Sequence, residues 1–179
     1  MLSKLWRNYG TDKFDHGFLP FYDEILFPIK DNIKKIIEIW VYNWASIRMW
    51  RDYFWEESKV LWVDINPAMD IPWATVIRFD ATTKEFADIV WNFDLIIDDW
   101  SHKSWDQINS FNLLWEKLTP GWIYILEDTH TSFMPSYINT TVTAYDFLRE
   151  FSDKYCETKY KEFRRNGRES WTLVLFKNK

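Results

Sequence analysis

The sequence predicts a doubly wound α/β fold with a mostly parallel sheet. Three observations lead to this prediction. Short apolar segments of strand length alternate along the chain with segments in which apolar residues recur at helical spacing. Two of the strand segments, "FDLIID" and "WIYILED", are almost continuously apolar, as in parallel strands buried on both faces. The chain ends in two strand-like segments that can pair as an antiparallel β-hairpin.

The elements follow one another in regular alternation. The first five predicted strands cover residues 36–40, 60–65, 75–79, 93–98 and 122–128. The predicted helices cover residues 44–54, 82–90, 104–118 and 139–152. Within 104–118 the apolar side chains recur every three or four residues, as on one face of a helix. The segments "KYCETKYKEFRR" and "ESWTLVLFK" supply the two hairpin strands, which makes seven strands in all.

Length and composition narrow the class of protein. With 179 residues, 47% of them hydrophobic, the chain can build one domain with a substantial core. Residues 1–30 are predicted to form an N-terminal cap segment, and residues 31–179 the α/β domain. The net charge of −5 and the scattered basic residues argue against nucleic acid and favour a small-molecule partner.

The expected compartment is cytoplasmic. Cys156 is the one cysteine of the sequence, which excludes an internal disulfide framework and a multi-thiolate metal site and indicates a reducing compartment. The first residues lack the apolar core of a signal peptide, and no segment is long and apolar enough to span a membrane. We therefore expect no membrane partner, while a homo-oligomer stays open.

Carboxylates lie at or just after the ends of the five predicted parallel strands. Ligands of doubly wound sheets bind beyond the carboxyl ends of the strands, so these acidic residues are candidate site residues. Asp64 follows Trp40 by roughly the 20-residue interval at which an acidic side chain binds the ribose of a nucleotide. Alternatively, Asp64 opens a turn before "NP". The acidic residues are Glu38, Asp64, Asp80, the pair Asp98 and Asp99, and the pair Glu127 and Asp128.

The motifs "DDWSH" and "EDTH" form the strongest candidate site. Neighbouring strands would bring Asp99, Glu127 and Asp128 into one cleft, where their charges repel one another unless a cation binds. Oxygen ligands indicate Mg²⁺ or a similar divalent ion. His102 would lie in the same cleft as a neutral general base, and His130 is a weaker candidate for that role. Alternatively, acidic residues of these motifs cap the helices that follow.

The order of the motifs resembles a known family. The segments "YGTDKFDHGFLPFYDEIL", "EIWVYNWASIRMWRDYF", "VDINP", "FDLIIDDWSH" and "LTPGWIYILEDTH" are similar to those of class I S-adenosylmethionine-dependent methyltransferases, which have a Rossmann-like sheet. Within that class they most resemble the metal-dependent sugar O-methyltransferases of macrolide biosynthesis, the mycinamicin type. The motifs cover about residues 8–130.

The resemblance implies an activity and a set of site residues. The enzyme would transfer a methyl group from S-adenosylmethionine to a hydroxyl of a sugar or glycosylated small molecule. His102 would be the general base, and the segment "TDKFDH" would help to cover the active site. The metal carboxylates fall on Asp99, Glu127 and Asp128, and the cofactor-binding positions fall on Glu38, Trp40, Trp44, Asp64 and Asp80.

Tryptophan occupies positions where this family commonly has glycine. The sequence has 13 tryptophans and only 4 glycines, against an ordinary glycine share of roughly 7%. We hypothesise that the gene uses UGA for glycine and was translated with a table that reads UGA as tryptophan; UGG codons at positions 40, 44 and 100 would refute this. A designed glycine-to-tryptophan variant is the alternative. The positions are Trp40, Trp44, Trp62, Trp73, Trp91, Trp100 and Trp122.

Two other functional classes stay open. One is a catalytically inactive α/β binding protein whose cofactor site the indoles have closed, which intact folding without S-adenosylmethionine binding would favour. The other is a carboxylate-metal hydrolase, which release of phosphate or ester products without a methyl donor would favour. The predicted C-terminal hairpin argues against the hydrolase.

Overall fold

The computed structural model describes residues 2–40, 44–54, 58–67, 74–165 and 168–178. Helices in this part are α1 (Leu2–Tyr9), α2 (Phe18–Leu26), α3 (Trp44–Phe54), α4 (Lys84–Ile89), α5 (Ser104–Trp115) and α6 (Ala144–Tyr155). Strands are β1 (Lys35–Ile39), β2 (Lys59–Asp64), β3 (Thr75–Arg78), β4 (Phe93–Asp98), β5 (Leu118–Leu126), β6 (Cys156–Arg165) and β7 (Arg168–Lys177).

The seven strands form one sheet in the order β3-β2-β1-β4-β5-β7-β6. Strands β1 to β5 pair in parallel, whereas β7 pairs antiparallel with both β5 and β6. The predicted fold class is therefore confirmed. The chain builds outward from β1 to β3 and then returns to place β4 on the other side of β1. Ligands bind beyond the carboxyl ends of the strands at such a reversal, here those of β1 and β4.

The apolar runs of the parallel strands are explained by burial on both faces. On one face, side chains such as Leu95 and Ile97 of β4 pack in a core with α1, α2 and α3. On the other face, Phe93 and Ile96 of the same strand pack with α4, α5 and α6. Each fully buried aliphatic or aromatic side chain of this kind contributes roughly 1.5–3 kcal/mol of transfer free energy. The sheet is thus the middle layer of a three-layer domain.

The structure corrects several predicted boundaries. Strand β5 begins at Leu118 and not at residue 122, because Leu118 pairs with Phe93 ahead of a register shift and "LTPG" lies within the strand. For the same reason α5 ends at Trp115 and not at residue 118. Helix α6 begins at Ala144 and not at residue 139, because the Thr143 hydroxyl accepts a hydrogen bond from the Asp146 N–H and caps the helix there.

The N-terminal residues contain helices that the sequence pattern did not identify. Helices α1 and α2 contribute Leu2, Phe18 and Tyr22 to the core that also contains Trp50 of α3.

In the part of the chain that the structure describes, no helix combines the length and the apolar composition needed to cross a membrane.

Candidate active site

A cleft of about 280 Å³ lies at the carboxyl ends of β1, β4 and β5. Backbone hydrogen bonds continue the parallel pairing past the ends of the strands: the Asp99 N–H donates to Ile39 O (3.3 Å) and the Glu127 N–H to Asp98 O (2.9 Å). This pairing brings the acidic residues that follow β4 and β5 side by side. The cleft is lined by Asp12, Lys13, His16, Phe18, Trp40, Asp99, His102, Glu127 and Asp128.

Three of the predicted site residues have the arrangement of a metal site. One ligand atom from each of Asp99, His102 and Asp128 can be chosen so that all three lie within 4.8 Å of one another. Two carboxylates and an imidazole at this separation can coordinate one divalent cation. The structure therefore brings together two of the three predicted metal carboxylates and the predicted base.

Glu127, the third predicted metal carboxylate, is held by the N-terminal segment. Its Oε1 accepts a hydrogen bond from the Tyr22 hydroxyl (2.6 Å), and its Oε2 accepts one from Lys13 Nζ (2.7 Å). Burial raises the pKa of Glu127 to about 7, although the nearby Lys13 ammonium acts in the opposite direction.

Lys13 is the main site residue that the sequence pattern did not single out. Its side chain is 3% exposed, and Nζ lies 2.7 Å from Glu127, 3.1 Å from Asp99 and 3.4 Å from Glu38. Burial lowers the pKa of Lys13, but the three carboxylates raise it well above the usual value, so the side chain is an ammonium. The family resemblance indicated only that the segment "TDKFDH" would help to cover the site. Lys13 itself was not identified, because a lysine in a polar loop is ordinarily exposed to solvent.

His102 lies in the cleft after β4 with its ring beside Asp128. Its Nδ1 is 4.0 Å from Asp128 Oδ2, and its backbone oxygen accepts a hydrogen bond from the Thr131 hydroxyl (2.8 Å). Nδ1 is buried and has no hydrogen-bond partner among the described residues. Burial is the main reason that the pKa of His102 is below its ordinary value of 6.5. The imidazole is therefore neutral at neutral pH and can accept a proton.

The other two histidines also surround Asp128. His16 Nδ1 lies 3.3 Å from Asp128 Oδ1 and 3.1 Å from the Ser170 hydroxyl, and His130 Nδ1 lies 3.7 Å from Asp128 Oδ1. Burial alone would raise the pKa of Asp128, but the hydrogen bond with His16 and the other histidines lower it below the usual value. The hydrogen bond to Asp128 raises the pKa of His16. Asp128 is thus an ionised carboxylate at the centre of the cleft.

Asp98 has a structural role, but it is not the helix cap that the sequence offered as an alternative, because α5 is N-capped at Lys103 without a side-chain hydrogen bond. Its Oδ1 accepts a hydrogen bond from the Trp100 N–H (3.1 Å), and its Oδ2 accepts from the hydroxyls of Ser110 (2.5 Å) and Tyr124 (2.6 Å). These bonds join the end of β4 to α5 and β5, and burial raises the pKa of Asp98 to about 6. Ser101 likewise donates a hydrogen bond to Asp106, near the start of α5.

Glu38, the predicted residue at the methionine end of the cofactor, is fully buried. Besides the contact with Lys13, its carboxylate accepts hydrogen bonds from the Ser46 hydroxyl (3.1 Å) and from the indole N–H groups of Trp50 (3.1 Å) and Trp62 (3.0 Å). Trp62 therefore has a buried polar partner of its own. Glu38 does not line the cleft itself, although Lys13 connects it to the cleft residues.

The predicted ribose and adenine residues end the next two strands of the sheet. Asp64 is the last residue of β2, and its Oδ1 accepts a hydrogen bond from the Asn66 N–H (2.7 Å). Asp80 follows β3, and its Oδ1 accepts from the N–H (2.9 Å) and hydroxyl (2.6 Å) of Thr82. Both carboxylates stabilise turns, as the alternative interpretation of Asp64 expected. Neither residue lines the cleft. Strands β2 and β3, which carry or precede these residues, lie on the opposite side of β1 from β4 and β5.

Among the described tryptophans, Trp40 alone has a positive φ angle, 78°. That conformation is the one that favours glycine. Its ring contacts His102 edge-on, with centroids 5.4 Å apart, and lines the cleft. Trp44 begins α3, but its side chain lies outside the described part of the structure, as does all of Trp73.

No family model matches the chain. The curated proteins to which it is similar include two O-methyltransferases from Streptomyces. An 8-demethyl-8-α-L-rhamnosyl tetracenomycin-C 2′-O-methyltransferase from Streptomyces olivaceus is 29% identical over 177 residues, covering 89% of this chain and 47% of the relative. An L-olivosyl-oleandolide 3-O-methyltransferase from Streptomyces antibioticus is 32% identical over 152 residues, covering 76% of this chain and 39% of the relative. The chain thus spans less than half the length of these curated relatives.

Solved structures share the fold. MycE methyltransferase of mycinamycin biosynthesis, in complex with Mg, S-adenosylhomocysteine (SAH) and mycinamycin VI, matches with a TM-score of 0.80 and 24% identity over 99% of this chain and 54% of that one. A putative O-methyltransferase from Klebsiella pneumoniae matches with a TM-score of 0.66 and 12% identity, covering 90% of its chain. The chain thus has the fold of these methyltransferases, and its sequence is similar to parts of the O-methyltransferases named above.

Proposed function

We propose that the protein transfers a methyl group from S-adenosylmethionine to a hydroxyl of a sugar or glycosylated small molecule, with a divalent metal ion and His102 as general base. The observation that carries this proposal is the convergence of Asp99, His102 and Asp128 in the cleft that Trp40 also lines, at the carboxyl end of β1. The curated relatives, which are named as O-methyltransferases of rhamnosyl and olivosyl compounds, support the choice of a sugar hydroxyl.

The metal site is proposed from the donor atoms present. Asp99 and Asp128 supply the carboxylate oxygens that Mg²⁺ prefers, and Glu127 lies beside them as the third carboxylate. The unpartnered Nδ1 of His102 faces the same space. A divalent ion bound there would polarise the acceptor hydroxyl and make its proton easier to remove.

The cofactor is proposed to lie across the carboxyl ends of β1, β2 and β3. Asp64 would hold the ribose hydroxyls, Asp80 would lie near the adenine, and Glu38 would lie at the methionine end, next to Trp40 and Trp44 between β1 and α3. The backbone at position 40 fits this role, because its φ of 78° suits a glycine that closely contacts a ligand. The Trp40 indole does not fit, because it lies against His102 at the wall of the cleft, where the reactants would meet.

In the proposed reaction the neutral His102 imidazole accepts the proton of the acceptor hydroxyl. The oxygen then bonds to the sulfonium methyl group in line with the breaking carbon–sulfur bond, which releases S-adenosylhomocysteine. Asp128, whose Oδ2 lies 4.0 Å from His102 Nδ1, stabilises the imidazolium that has formed. The enclosing cleft lowers the barrier further by holding the two reactants in alignment.

The test is transfer of labelled methyl from S-adenosylmethionine to a set of rhamnosides and olivosides, using a chain with glycine at positions 40 and 44. We expect label in the glycoside when Mg²⁺ is present and a large loss when a chelator is added. A folded chain that binds both S-adenosylmethionine and the glycoside without transferring label would contradict the proposal.

A second candidate function is a catalytically inactive binding protein. This candidate is favoured because Trp40 and Lys13 line the cleft of the unaltered chain. Their indole and ammonium groups lie among the proposed reactive groups. Normal folding of the chain with glycine at positions 40 and 44, without S-adenosylmethionine binding, would support this candidate over the methyltransferase.

A further inference from the structure

The proposed reaction assigns no role to Lys13, although Lys13 is the most deeply placed cation of the cleft. Its Nζ donates a hydrogen bond to Glu127 Oε2 (2.7 Å) and another to Asp99 Oδ2 (3.1 Å). A third carboxylate oxygen, Oε1 of Glu38, lies 3.4 Å away. The ammonium thus contacts two of the three carboxylates that are proposed to bind the metal ion.

This position has an electrostatic reason. Glu38 and Glu127 are buried and Asp99 is partly buried, and three carboxylates at such close range repel one another unless a cation lies between them. Lys13 supplies that cation from within the chain, so the fold does not require a metal ion to hold the carboxylates together. A lysine side chain that is 3% exposed needs such partners in turn, because an unpaired buried ammonium is costly.

The ammonium and a metal ion would compete for the same oxygens. Mg²⁺ binds carboxylate oxygens at about 2.0–2.1 Å and requires near-octahedral coordination around it. An ion at that distance from both Asp99 Oδ2 and Glu127 Oε2 would occupy the space between these atoms, where Lys13 Nζ now lies. The two cations repel each other, and the oxygens cannot direct the same lone pairs to both.

We infer that Lys13 is a resident cation of the metal site, and that a divalent ion binds by displacing its ammonium from Asp99 and Glu127. The inference rests on the metal site of the proposed function. On displacement Lys13 gives up two hydrogen bonds to these carboxylates and turns outward, and Glu127 becomes free to bind the metal ion.

The displacement would couple the metal site to the N-terminal segment. Lys13 lies in the short 3₁₀ turn Asp12–Phe14, which leads through Gly17 into α2. Tyr22 of α2 donates a second hydrogen bond to Glu127, so the segment is attached to this carboxylate at two points. Metal binding would release one of these attachments, and the part of the cleft lined by Lys13 and His16 would loosen.

The first experiment uses the unaltered chain. Brief acetylation of lysines followed by peptide mass spectrometry would compare Lys13 without metal and with saturating Mn²⁺, whose binding is measured separately by calorimetry. We expect Lys13 to be protected without metal and to become reactive with it. Exposed Lys84, which pairs with Asp88 on α4, is the internal control and should react equally in both samples. Mn²⁺ binding that leaves Lys13 protected would overturn the inference.

A second experiment measures the competition directly. The Lys13→Met variant should bind Mn²⁺ at least about tenfold more tightly than the unaltered chain, an ordinary size for coupling between two binding events. Exposed Lys103, next to His102 in sequence, provides the matched control. Lys103→Met also removes a positive charge near the cleft but should change the affinity much less.

The outcomes separate this inference from the proposed function. Equal Mn²⁺ affinities for Lys13→Met and Lys103→Met would overturn the inference and leave the metal site in place. Absence of Mn²⁺ binding in the unaltered chain and in both variants would overturn the metal site and the inference together. If Lys13→Met does not fold, the acetylation experiment on the unaltered chain still decides the question.

Discussion

The indole of Trp40 lies edge-on to the imidazole of His102, with ring centroids 5.4 Å apart and an angle of 80° between the rings. Trp40 follows β1 and His102 follows β4, so the contact crosses the place where the strand order reverses. In the proposed reaction the acceptor hydroxyl and the sulfonium methyl must both reach this space. Trp40 lines the cleft, whose volume of about 280 Å³ is just below the roughly 300–1,000 Å³ of ordinary ligand sites.

The backbone at position 40 supports the hypothesis that the natural residue there is glycine. A left-handed conformation costs a residue with a Cβ atom roughly 1–2 kcal/mol, and glycine adopts it without that cost. Trp62 and Trp122 lack a positive φ angle. Their backbone gives the hypothesis no such support, and the Trp62 indole donates a hydrogen bond to buried Glu38.

His102→Ala should lower turnover by about 10²–10⁴-fold, the usual contribution of a general base. The comparison uses the chain with glycine at positions 40 and 44, with rates from labelled methyl transfer and cofactor affinity from calorimetry. Affinity should change little, because His102 acts on the acceptor. His130→Ala is the matched control, since His130 also lies near Asp128. A larger loss in His130→Ala than in His102→Ala would show that the base has been wrongly assigned.

Asp128→Ala should abolish metal-dependent methyl transfer and weaken Mn²⁺ binding, because it removes the carboxylate that the three histidines surround. The fold should persist, since the core on both faces of the sheet does not involve this side chain. Circular dichroism would check the fold, and calorimetry would measure the metal affinity. Asp88→Ala, on the exposed face of α4, should leave both unchanged. Full activity of Asp128→Ala in the presence of a chelator would remove the metal ion from the mechanism.

Asp98→Asn should increase stability more at neutral pH than at acidic pH. Burial raises the pKa of Asp98 to about 6 in the folded protein, above the value of about 3.9 expected in the unfolded chain. The folded state therefore binds the proton more tightly, and the free energy of unfolding falls as pH rises from about 4 to 6. The full cost at neutral pH is about 3 kcal/mol, from the difference between the two pKa values.

Asparagine removes this cost and keeps the shape of the side chain. Its carbonyl can accept from the Trp100 N–H, and its amide can donate to the Ser110 and Tyr124 hydroxyls. Urea unfolding of both proteins at about pH 4.5 and pH 7 should show a gain that is larger at pH 7, by about 2 kcal/mol. A gain that is the same at both pH values would mean that Asp98 does not titrate in this range.

The sequence predicted the sheet well because its signal is local. Continuous apolar runs such as β4 identify buried parallel strands, and their alternation with helices limits the possible topologies. Boundaries were less predictable where a distant partner decides them. Leu118 belongs to β5 because it pairs with Phe93, and no local pattern shows that pairing.

The candidate site could be predicted in part for the same reason. Asp99 and His102 come shortly after the end of β4 and Asp128 shortly after the end of β5, so the parallel sheet brings them together once its order is known. Lys13 reaches the cleft from the 3₁₀ turn Asp12–Phe14, far away in sequence, and its burial depends on the packing of α2, which the pattern did not reveal. The sequence placed Glu38 at the correct strand end. Its hydrogen bonds with Trp50 and Trp62 could not be predicted, because they join elements that are distant in sequence.

The measurement that tests the central claim most directly is calorimetric titration of S-adenosylmethionine into the unaltered chain, Trp40→Gly, Trp44→Gly and the double variant. Since both positions lie in the connection between β1 and α3, which is proposed to contact the methionine end, we predict weak or absent binding by the unaltered chain. Restoring one glycine should recover little affinity, and restoring both should recover saturable binding. Tight binding by the unaltered chain, or no binding by the folded double variant, would contradict the placement of the cofactor at the carboxyl end of β1.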